Sequence, residues 1–254
     1  MEDESWERTV HAKKIESIEQ DSPLTRTSTQ KITWIRRLQH WVLTHADQVF
    51  VPSPLHQATF QELSHISGTI LPYPLNPSLT LPFPPEPISA QLLFTSTLTK
   101  QSGIEETLLA LCHLRDTFQN IRLIVANTGP DQDFFKQRVY ELDLKRNVRF
   151  LGRVSQAEKQ DLLRSSSISL CLQTSGACIR DIYEAYTQAI PVIATTSLTS
   201  PHVIISGKTG LVVPLQKPEA LVQAIESLLQ DEPLRTSLLK GGQEILRTQT
   251  DWEI

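Results

Sequence analysis

The chain has 254 residues, of which 39% are hydrophobic, and this content is sufficient for a packed globular core. Its formal net charge of −4 at pH 7 argues against a nucleic-acid or anionic-membrane surface, because both require clustered Lys and Arg. The three cysteines lack CxxC spacing and indicate neither a disulfide framework nor a zinc site, so we expect no bound metal.

The sequence also carries no targeting signal. No apolar run approaches the roughly 18 residues of a membrane-spanning helix. The start MEDESWERTV is acidic, whereas a signal peptide begins with basic and then apolar residues. We therefore expect a cytoplasmic protein without a transmembrane segment. Its expected partners are small molecules or proteins, with no nucleic acid, and any membrane contact is expected to be peripheral.

The first 75 residues carry few strand signals. Apolar residues recur at three- and four-residue spacing over 30–45, which predicts an amphipathic helix. A short strand is predicted over 48–51, and a helix capped by Ser53 is predicted to end near residue 64. Residues 72–87 contain seven of the 16 prolines, a density that excludes helix and suits a stiff linker.

From residue 91 onward, short apolar strands alternate with amphipathic helices. The predicted strands cover 92–95, 121–126, 148–151, 168–172, 191–194 and the segment before Pro214. The predicted helices cover 104–114, 131–142, 155–165, a segment around Glu184, 218–230 and 232–249. This alternation predicts βαβ units and a doubly wound parallel sheet covered on both faces. Such sheets bind ligands at the carboxyl ends of their strands, where N–H groups at helix starts favour phosphates.

The segment from Tyr183 to Pro214 carries the most informative motifs. A helix containing Glu184-Ala185 is followed by the strand PVIA, residues 191–194, and by the turn and strand GKTGLVVP, residues 207–214. These motifs, in this order, resemble the donor-binding region of the family 4 (group 1) glycosyltransferases of the GT-B fold. Four further segments follow the order and spacing of that family, and they cover 45–53, 93–111, 121–130 and 147–163.

The resemblance implies an α/β fold of the GT-B type, with one doubly wound, Rossmann-like donor domain and an incomplete amino-terminal domain. We assign residues 1–75 to a remnant of the amino-terminal acceptor domain, 76–90 to a proline-rich linker and 91–254 to the carboxy-terminal donor domain. The glycine-rich loop and catalytic histidine region of the family's acceptor domain have no counterpart in this sequence. We therefore expect a truncated family member, with a second chain as the source of the acceptor domain.

The resemblance implies a nucleotide sugar as substrate and no cofactor. Glu184 matches the family glutamate that holds the ribose, and Arg153 lies where the family backbone meets the base. Lys100 lies in the loop that holds the diphosphate, and Arg180 at the helix start is a weaker candidate for a phosphate contact. Each residue also has a simpler interpretation, because charged side chains on helices and loops are usually solvated. The sequence identifies no catalytic residue.

Several family positions carry different residues here, and they concern the chemistry rather than the scaffold. The Arg and Lys that hold the diphosphate are replaced by Thr97 and Ser102, and the first glutamate of the family's pair is replaced by Gly176. Further replacements are Ser96 for a loop glycine, Cys178-Ile179 for an aromatic-glycine pair and Leu198-Thr199 for a glycine pair.

Three functions stay open at this stage. The first is a retaining glycosyltransferase of the hexosyltransferase type, with an acceptor domain from a second chain. The second is a non-catalytic relative that binds a nucleotide or a protein, which the replacements favour. The third is a split-gene remnant, which the missing ends favour. We expect impaired transfer by this chain alone, because the leaving diphosphate requires fixed positive charge.

Overall fold

The computed structural model describes residues 37–38, 41–51, 57, 61, 68–70, 90–173, 179–195, 204–214 and 217–250. The chain forms two compact units, one of residues 1–51 with 56–71 and one of residues 52–55 with 72–254. Apart from Ala90, the predicted linker over 76–90 lies outside the described residues.

The smaller unit contains a two-stranded parallel sheet, in which β1 (Phe50–Val51) pairs with β2 (Thr69–Ile70). β1 confirms the end of the strand that the sequence predicts over 48–51. The sequence does not predict β2, because two residues are too few to establish an alternating pattern. Helical residues 41–44 lie inside the predicted helix over 30–45, and most of the helix predicted after Ser53 lies outside the described residues.

The larger unit is built on a six-stranded parallel sheet with the order β5-β4-β3-β6-β7-β8. Its strands are β3 (Gln91–Phe94), β4 (Arg122–Val125), β5 (Val148–Phe150), β6 (Ile168–Cys171), β7 (Val192–Thr195) and β8 (Leu211–Val213). Its helices are α1 (Ile104–Thr117), α2 (Gln132–Glu141), α3 (Gln156–Arg164), α4 (Ile179–Thr187), α5 (Pro218–Gln230) and α6 (Glu232–Thr250). The predicted doubly wound parallel sheet is confirmed.

Alternate residues of the strands face two different cores. Leu92 and Phe94 of β3 pack in one core with residues of α1 and α5, whereas Leu93 packs in the other core with residues of α4. All three side chains are fully buried. Because helices cover both faces of the sheet, the strands are apolar on both faces and read as continuous hydrophobic runs.

A capping box fixes the start of α3. The Oγ of Ser155 accepts a hydrogen bond from the Glu158 backbone N–H at 3.3 Å, and Glu158 Oε2 accepts one from the Ser155 N–H at 2.7 Å. The S-x-x-E spacing of Ser155 and Glu158 is the sequence pattern of such a box, and the pair satisfies two N–H groups that lack partners within the helix. The first turn of α3 therefore begins just after the carboxyl end of β5.

The strand order creates a crevice beside β3. After β3 the chain builds β4 and β5 on one side, and it then crosses over to build β6, β7 and β8 on the other side. The connections that leave β3 and β6 therefore diverge at the carboxyl ends of these strands. Open α/β sheets bind their ligands at such a position.

Gly103 lies where the loop after β3 approaches the loop after β6. Its φ of 80° is in the left-handed region, and a Cβ at this position would lie 2.4 Å from the Cβ of Leu172, which directly follows β6. Only glycine is compatible with both the conformation and the contact. The two loops that border the crevice therefore depend on this residue for their close approach.

We expect Gly103→Ala to lower the free energy of unfolding by about 2–5 kcal/mol, through left-handed strain and overpacking together. Gly207 is the matched control, because its φ is 75° but nothing lies within 4 Å of a Cβ there. Gly207→Ala should therefore cost only the conformational strain, about 1–2 kcal/mol. Urea unfolding followed by circular dichroism measures both values, and equal losses would contradict the role of the Leu172 contact.

Candidate functional site

Six polar side chains from three elements meet beside the carboxyl end of β3. We name them the Lys159 network, and its members are Thr95, Gln156, Lys159, Arg180, Asp181 and Glu184. Thr95 directly follows β3, two members lie in the first half of α3, and three lie in α4. The network therefore lies at the crevice that the strand order creates.

The three α4 members share one face of their helix. Asp181 and Glu184 are three residues apart and Arg180 and Glu184 are four apart, so each pair is adjacent on the helix surface. Ile182 and Ala185 are fully buried and pack in the core beneath the sheet. Because these apolar residues fix the rotation of α4, the charged face is directed away from that core.

Glu184 is the most heavily bonded member. Its Oε1 accepts hydrogen bonds from Gln156 Nε2 at 3.0 Å and from Arg180 Nε at 2.8 Å, and Lys159 Nζ lies 2.6 Å from its Oε2. Burial raises the pKa of this carboxyl, but its contacts with Lys159, Arg180 and Gln156 outweigh burial and hold the pKa below the ordinary value of 4.5. Glu184 is therefore a buried carboxylate that is ionised at neutral pH.

Lys159 pairs with two carboxylates at once. Its Nζ contacts Asp181 Oδ1 as well as Glu184 Oε2, and the lysine side chain is only 15% exposed. Burial lowers the pKa of Lys159, but the charges and hydrogen bonds of the two carboxylates outweigh burial and raise the pKa above 10.5. Asp181 Oδ2 also accepts a hydrogen bond from Thr95 Oγ1 at 3.0 Å, which connects the network to β3.

Of the site residues predicted from the sequence, the network contains Glu184 and the weaker phosphate candidate Arg180. Lys100 lies with its Nζ 5.4 Å from the centre of the Phe134 ring, and its backbone N–H donates to Asp131 Oδ2 at 3.0 Å. Arg153 is exposed and makes no hydrogen bond or ion pair with the other described residues. The phosphate role of Lys100 and the base role of Arg153 stay predictions.

The sequence analysis missed Lys159 and Asp181 as site residues. The spacing of Asp181 and Glu184 indicates that the two acids share a helix face, but nothing in the sequence indicates which cation neutralises them. Lys159 lies 22 residues before Asp181 on a different helix, so their pairing depends on the packing of α3 beside α4. A lysine in the second turn of a capped helix is normally interpreted as solvated.

The loop between β3 and α1 contains Thr97 and Ser102, the two positions at which the resemblance predicts the family's cations. Thr97 is exposed, whereas Ser102 is fully buried and its Oγ donates to the Thr99 carbonyl oxygen at 2.7 Å. The hydroxyl of Ser102 is therefore used by the loop itself. The buried Ser96 hydroxyl has no hydrogen-bond partner among the described residues. The remaining replaced positions, Gly176, Cys178, Leu198 and Thr199, lie outside the described residues.

A second concave region lies at the opposite edge of the sheet. It has a volume of about 360 Å³, and its lining includes Arg115 near the end of α1, Arg122 at the start of β4 and Arg146 before β5. These positions are at the amino ends of the strands. The region is therefore separate from the crevice that contains the Lys159 network.

Within the described part of the chain, no group of three or more His, Cys, Asp and Glu side chains is arranged to hold a metal ion. Within the same residues, no helix is both long enough and apolar enough to cross a membrane.

The sequence of residues 85–245 matches the family profile "Glycosyl transferases group 1", which covers more than half of the chain. The chain belongs to this glycosyltransferase family. It is 26% identical over 155 residues to a phosphatidyl-myo-inositol mannosyltransferase of Mycobacterium leprae, matching 61% of this chain and 40% of the relative. It is 23% identical over 164 residues to a glycogen synthase of Mycobacterium tuberculosis, matching 65% of this chain and 40% of the relative. The match therefore spans about 40% of the length of these glycosyltransferases.

Solved structures confirm the GT-B type of fold. Anabaena Alr3699/HepE in complex with UDP and glucose superposes with a TM-score of 0.72 and 18% identity, covering 85% of this chain and 63% of that one. Sucrose-phosphate synthase of Thermosynechococcus elongatus superposes with a TM-score of 0.70 and 22% identity, covering 90% of this chain and 61% of that one. The C-terminal domain of the Francisella tularensis group 1 protein LpcC superposes with a TM-score of 0.59 and 18% identity, covering 69% of this chain and 97% of that one. The family 4 subclass and the truncation of this glycosyltransferase stay predictions.

We expect Lys159→Met to lower the free energy of unfolding by about 2–4 kcal/mol, because it leaves two neighbouring carboxylates without their shared cation. Lys159→Met combined with Asp181→Asn should recover part of this loss, because it removes one of the unpaired charges. The control is Lys136→Met, whose ion pair with Asp133 is exposed and should contribute less than about 1 kcal/mol. Equal losses in the two single variants, measured by urea unfolding, would contradict the proposed importance of Lys159.

The ionised state of Glu184 predicts a specific dependence of stability on pH. Because folding lowers its pKa, the carboxylate stabilises the folded state above pH 4.5, and this contribution is lost as the pH falls through the lower folded-state pKa. Wild type should therefore be more stable than Glu184→Gln at pH 7, and the difference should shrink on acidification below pH 4.5. Urea unfolding over a pH series tests this, and a difference independent of pH would contradict it.

Proposed function

We propose that this chain binds the nucleoside diphosphate part of a nucleotide sugar in the crevice beside β3, as the donor-binding part of a glycosyltransferase. The observation that carries the proposal is Glu184, a buried and ionised carboxylate in that crevice. It occupies the family position of the ribose-binding glutamate, in a chain that belongs to a glycosyltransferase family. Such proteins transfer a sugar from the donor to an acceptor.

The chemistry of Glu184 suits ribose hydroxyl groups. An ionised carboxylate is an acceptor only, with about four lone-pair positions. Gln156, Arg180 and Lys159 use three of these positions. Oε2 is buried against Lys159, so a ribose hydroxyl would bind at Oε1 in place of one of its donors, and carboxylates at the same edge of related sheets bind ribose hydroxyls. Because the carboxylate is already held in place, ribose binding requires little ordering of this side chain.

In the crevice, backbone N–H groups would bind the diphosphate more than charged side chains would. The start of α4 is at the same edge of the sheet, and N–H groups at a helix start attract phosphates. Thr97 and Ser102 supply no positive charge. A hydrogen bond to a charged group contributes roughly 1.5–3 kcal/mol, so two absent cations weaken binding by roughly a hundredfold to ten-thousandfold. The proposed binding is therefore weak.

The same absence limits sugar transfer. A retaining transfer requires that the charge on the leaving diphosphate be met by preorganised donors or cations, and this is usually the largest catalytic contribution. We therefore propose impaired transfer by this chain by itself, with no metal or cofactor required. A non-catalytic, nucleotide-binding relative is the second candidate function, and it is favoured by Ser102, whose buried hydroxyl serves the loop. Turnover of a nucleotide sugar distinguishes the two.

The acceptor would bind to a second domain or a second chain. Leu38, Trp41 and Val42 in the smaller unit are all more than half exposed, and clustered apolar side chains of this size usually mark a protein interface. This supports a partner surface without identifying the partner. The proposed location of the protein is the cytoplasm, where nucleotide sugars are available.

Titration calorimetry with UDP, GDP and ADP tests the proposal. We expect at least one of them to bind with a Kd in the high micromolar to millimolar range, roughly −6 to −4 kcal/mol. Thr97→Arg should tighten that binding by more than about tenfold, because it restores a cation at an exposed position of the loop. Thr117→Arg is the matched control, because this exposed threonine ends α1 at the other side of the sheet.

Glu184→Gln provides the complementary loss. It preserves the shape of the side chain but removes the charge, so nucleotide binding should fall below detection while circular dichroism verifies the fold. Binding of a nucleotide that is indifferent to both Thr97→Arg and Glu184→Gln would place the site elsewhere. Absence of binding for all three nucleotides, in wild type and in Thr97→Arg, would overturn the proposed function.

A further inference from the structure

Arg180 differs from the other charged members of the Lys159 network in its exposure. Its side chain is 59% exposed, whereas the side chains of Lys159, Asp181 and Glu184 are 15%, 18% and 11% exposed. Arg180 is the second residue of α4, so it lies at the carboxyl edge of the sheet beside the N–H groups of the helix start. It is therefore a solvent-accessible cation at the mouth of the crevice.

Arg180 is also the least constrained partner of Glu184. Lys159 contacts two carboxylates, and moving it would leave both unpaired. Gln156 has no charge and sits in the first turn of α3. Arg180 has one carboxylate partner, at 2.8 Å, and a long contact of 3.4 Å to Gln156 Oε1. The guanidinium of Arg180 is largely exposed to solvent, so a ligand that displaces it has to satisfy only the buried carboxylate of the pair.

The charges in the crevice make the displacement of Arg180 favourable for a ligand that carries phosphate. Lys159 and Arg180 together balance Asp181 and Glu184, so the network as a whole is neutral. A ribose hydroxyl that replaces Arg180 on Oε1 satisfies the carboxylate without a charge and leaves one cation without its partner. A guanidinium has five N–H donors in a planar fork that matches phosphate oxygens. The diphosphate of the same ligand carries negative charge and can therefore become the new partner of this cation.

We propose that Arg180 exchanges partners when a nucleoside diphosphate binds. One ribose hydroxyl takes its place on Glu184 Oε1, and the released guanidinium binds the diphosphate. The inference rests on the proposed function, and it goes beyond it by naming the residue that supplies the charge absent at Thr97 and Ser102. It also makes the crevice selective for nucleoside diphosphates over nucleosides. A nucleoside displaces Arg180 from Glu184 but has no phosphate group that could bind the released guanidinium.

The test compares a nucleoside with its diphosphate in the same variants. Uridine and UDP, guanosine and GDP, and adenosine and ADP are titrated by ligand-observed NMR into wild type, Arg180→Met and Arg180→Lys. Arg180→Met should weaken the diphosphate by about 10- to 100-fold, because it removes one charge-assisted contact. It should leave the affinity for the nucleoside unchanged or raise it by about twofold, because the nucleoside no longer has to break the Arg180–Glu184 ion pair. The ratio of the two affinities is the readout.

Arg180→Lys should retain part of the diphosphate affinity, because it keeps the charge but loses the planar fork. Arg146→Met is the matched control, because this exposed arginine borders the concave region at the opposite edge of the sheet. It should not change the affinity ratio. Circular dichroism verifies that each variant is folded.

The outcomes separate this inference from the function on which it rests. Tighter binding of both ligands by Arg180→Met would show that Arg180 only obstructs Glu184, and it would overturn the exchange. An unchanged affinity ratio would also overturn the exchange, while UDP, GDP or ADP binding that depends on Glu184 would still support the proposed function. Failure of every nucleoside and nucleotide to bind wild type would overturn both proposals together.

Discussion

The carboxyl edge of the sheet depends on one contact, the pairing of the Lys159 ammonium group with the carboxylates of Asp181 and Glu184. Through this contact α3 is joined to α4, and through the Thr95 hydroxyl α4 is joined to the end of β3. Removing charges from water is costly, and such a cluster persists only when each charge has a partner and the lone pairs are satisfied. Here two cations and two anions meet that requirement.

The consequence for the crevice is that its acidic residue is already occupied before any ligand arrives. Glu184 is held by three donors, and of the two charged donors Arg180 is 59% exposed whereas Lys159 is 15% exposed. A ligand that binds at this carboxylate must therefore compete with, or redirect, one of the protein's own charges. The charged side chains of the crevice form a neutral network of two cations and two carboxylates, with no surplus of positive charge.

The residues that shape the crevice are distinct from those that carry its charges. The capped start of α3 and the left-handed Gly103 position the loops that border the crevice. The loop after β3 uses the buried Ser102 hydroxyl for its own turn. A lysine at position 102 would have to bury its charge or open the loop.

The sequence by itself determined the order of strands and helices, the start of α3 and α5, and the family, because hydrophobic period, capping residues and short motifs are local signals. It also indicated Glu184, since that residue belongs to a motif. It could not identify the Lys159 network, because the members of this network come from three elements that only the fold brings together. It also could not show that Lys100 lies over the Phe134 ring while Arg180 lies on Glu184. The tertiary structure decided these pairings, because charge compensation depends on distance in space and on burial, which sequence spacing does not specify.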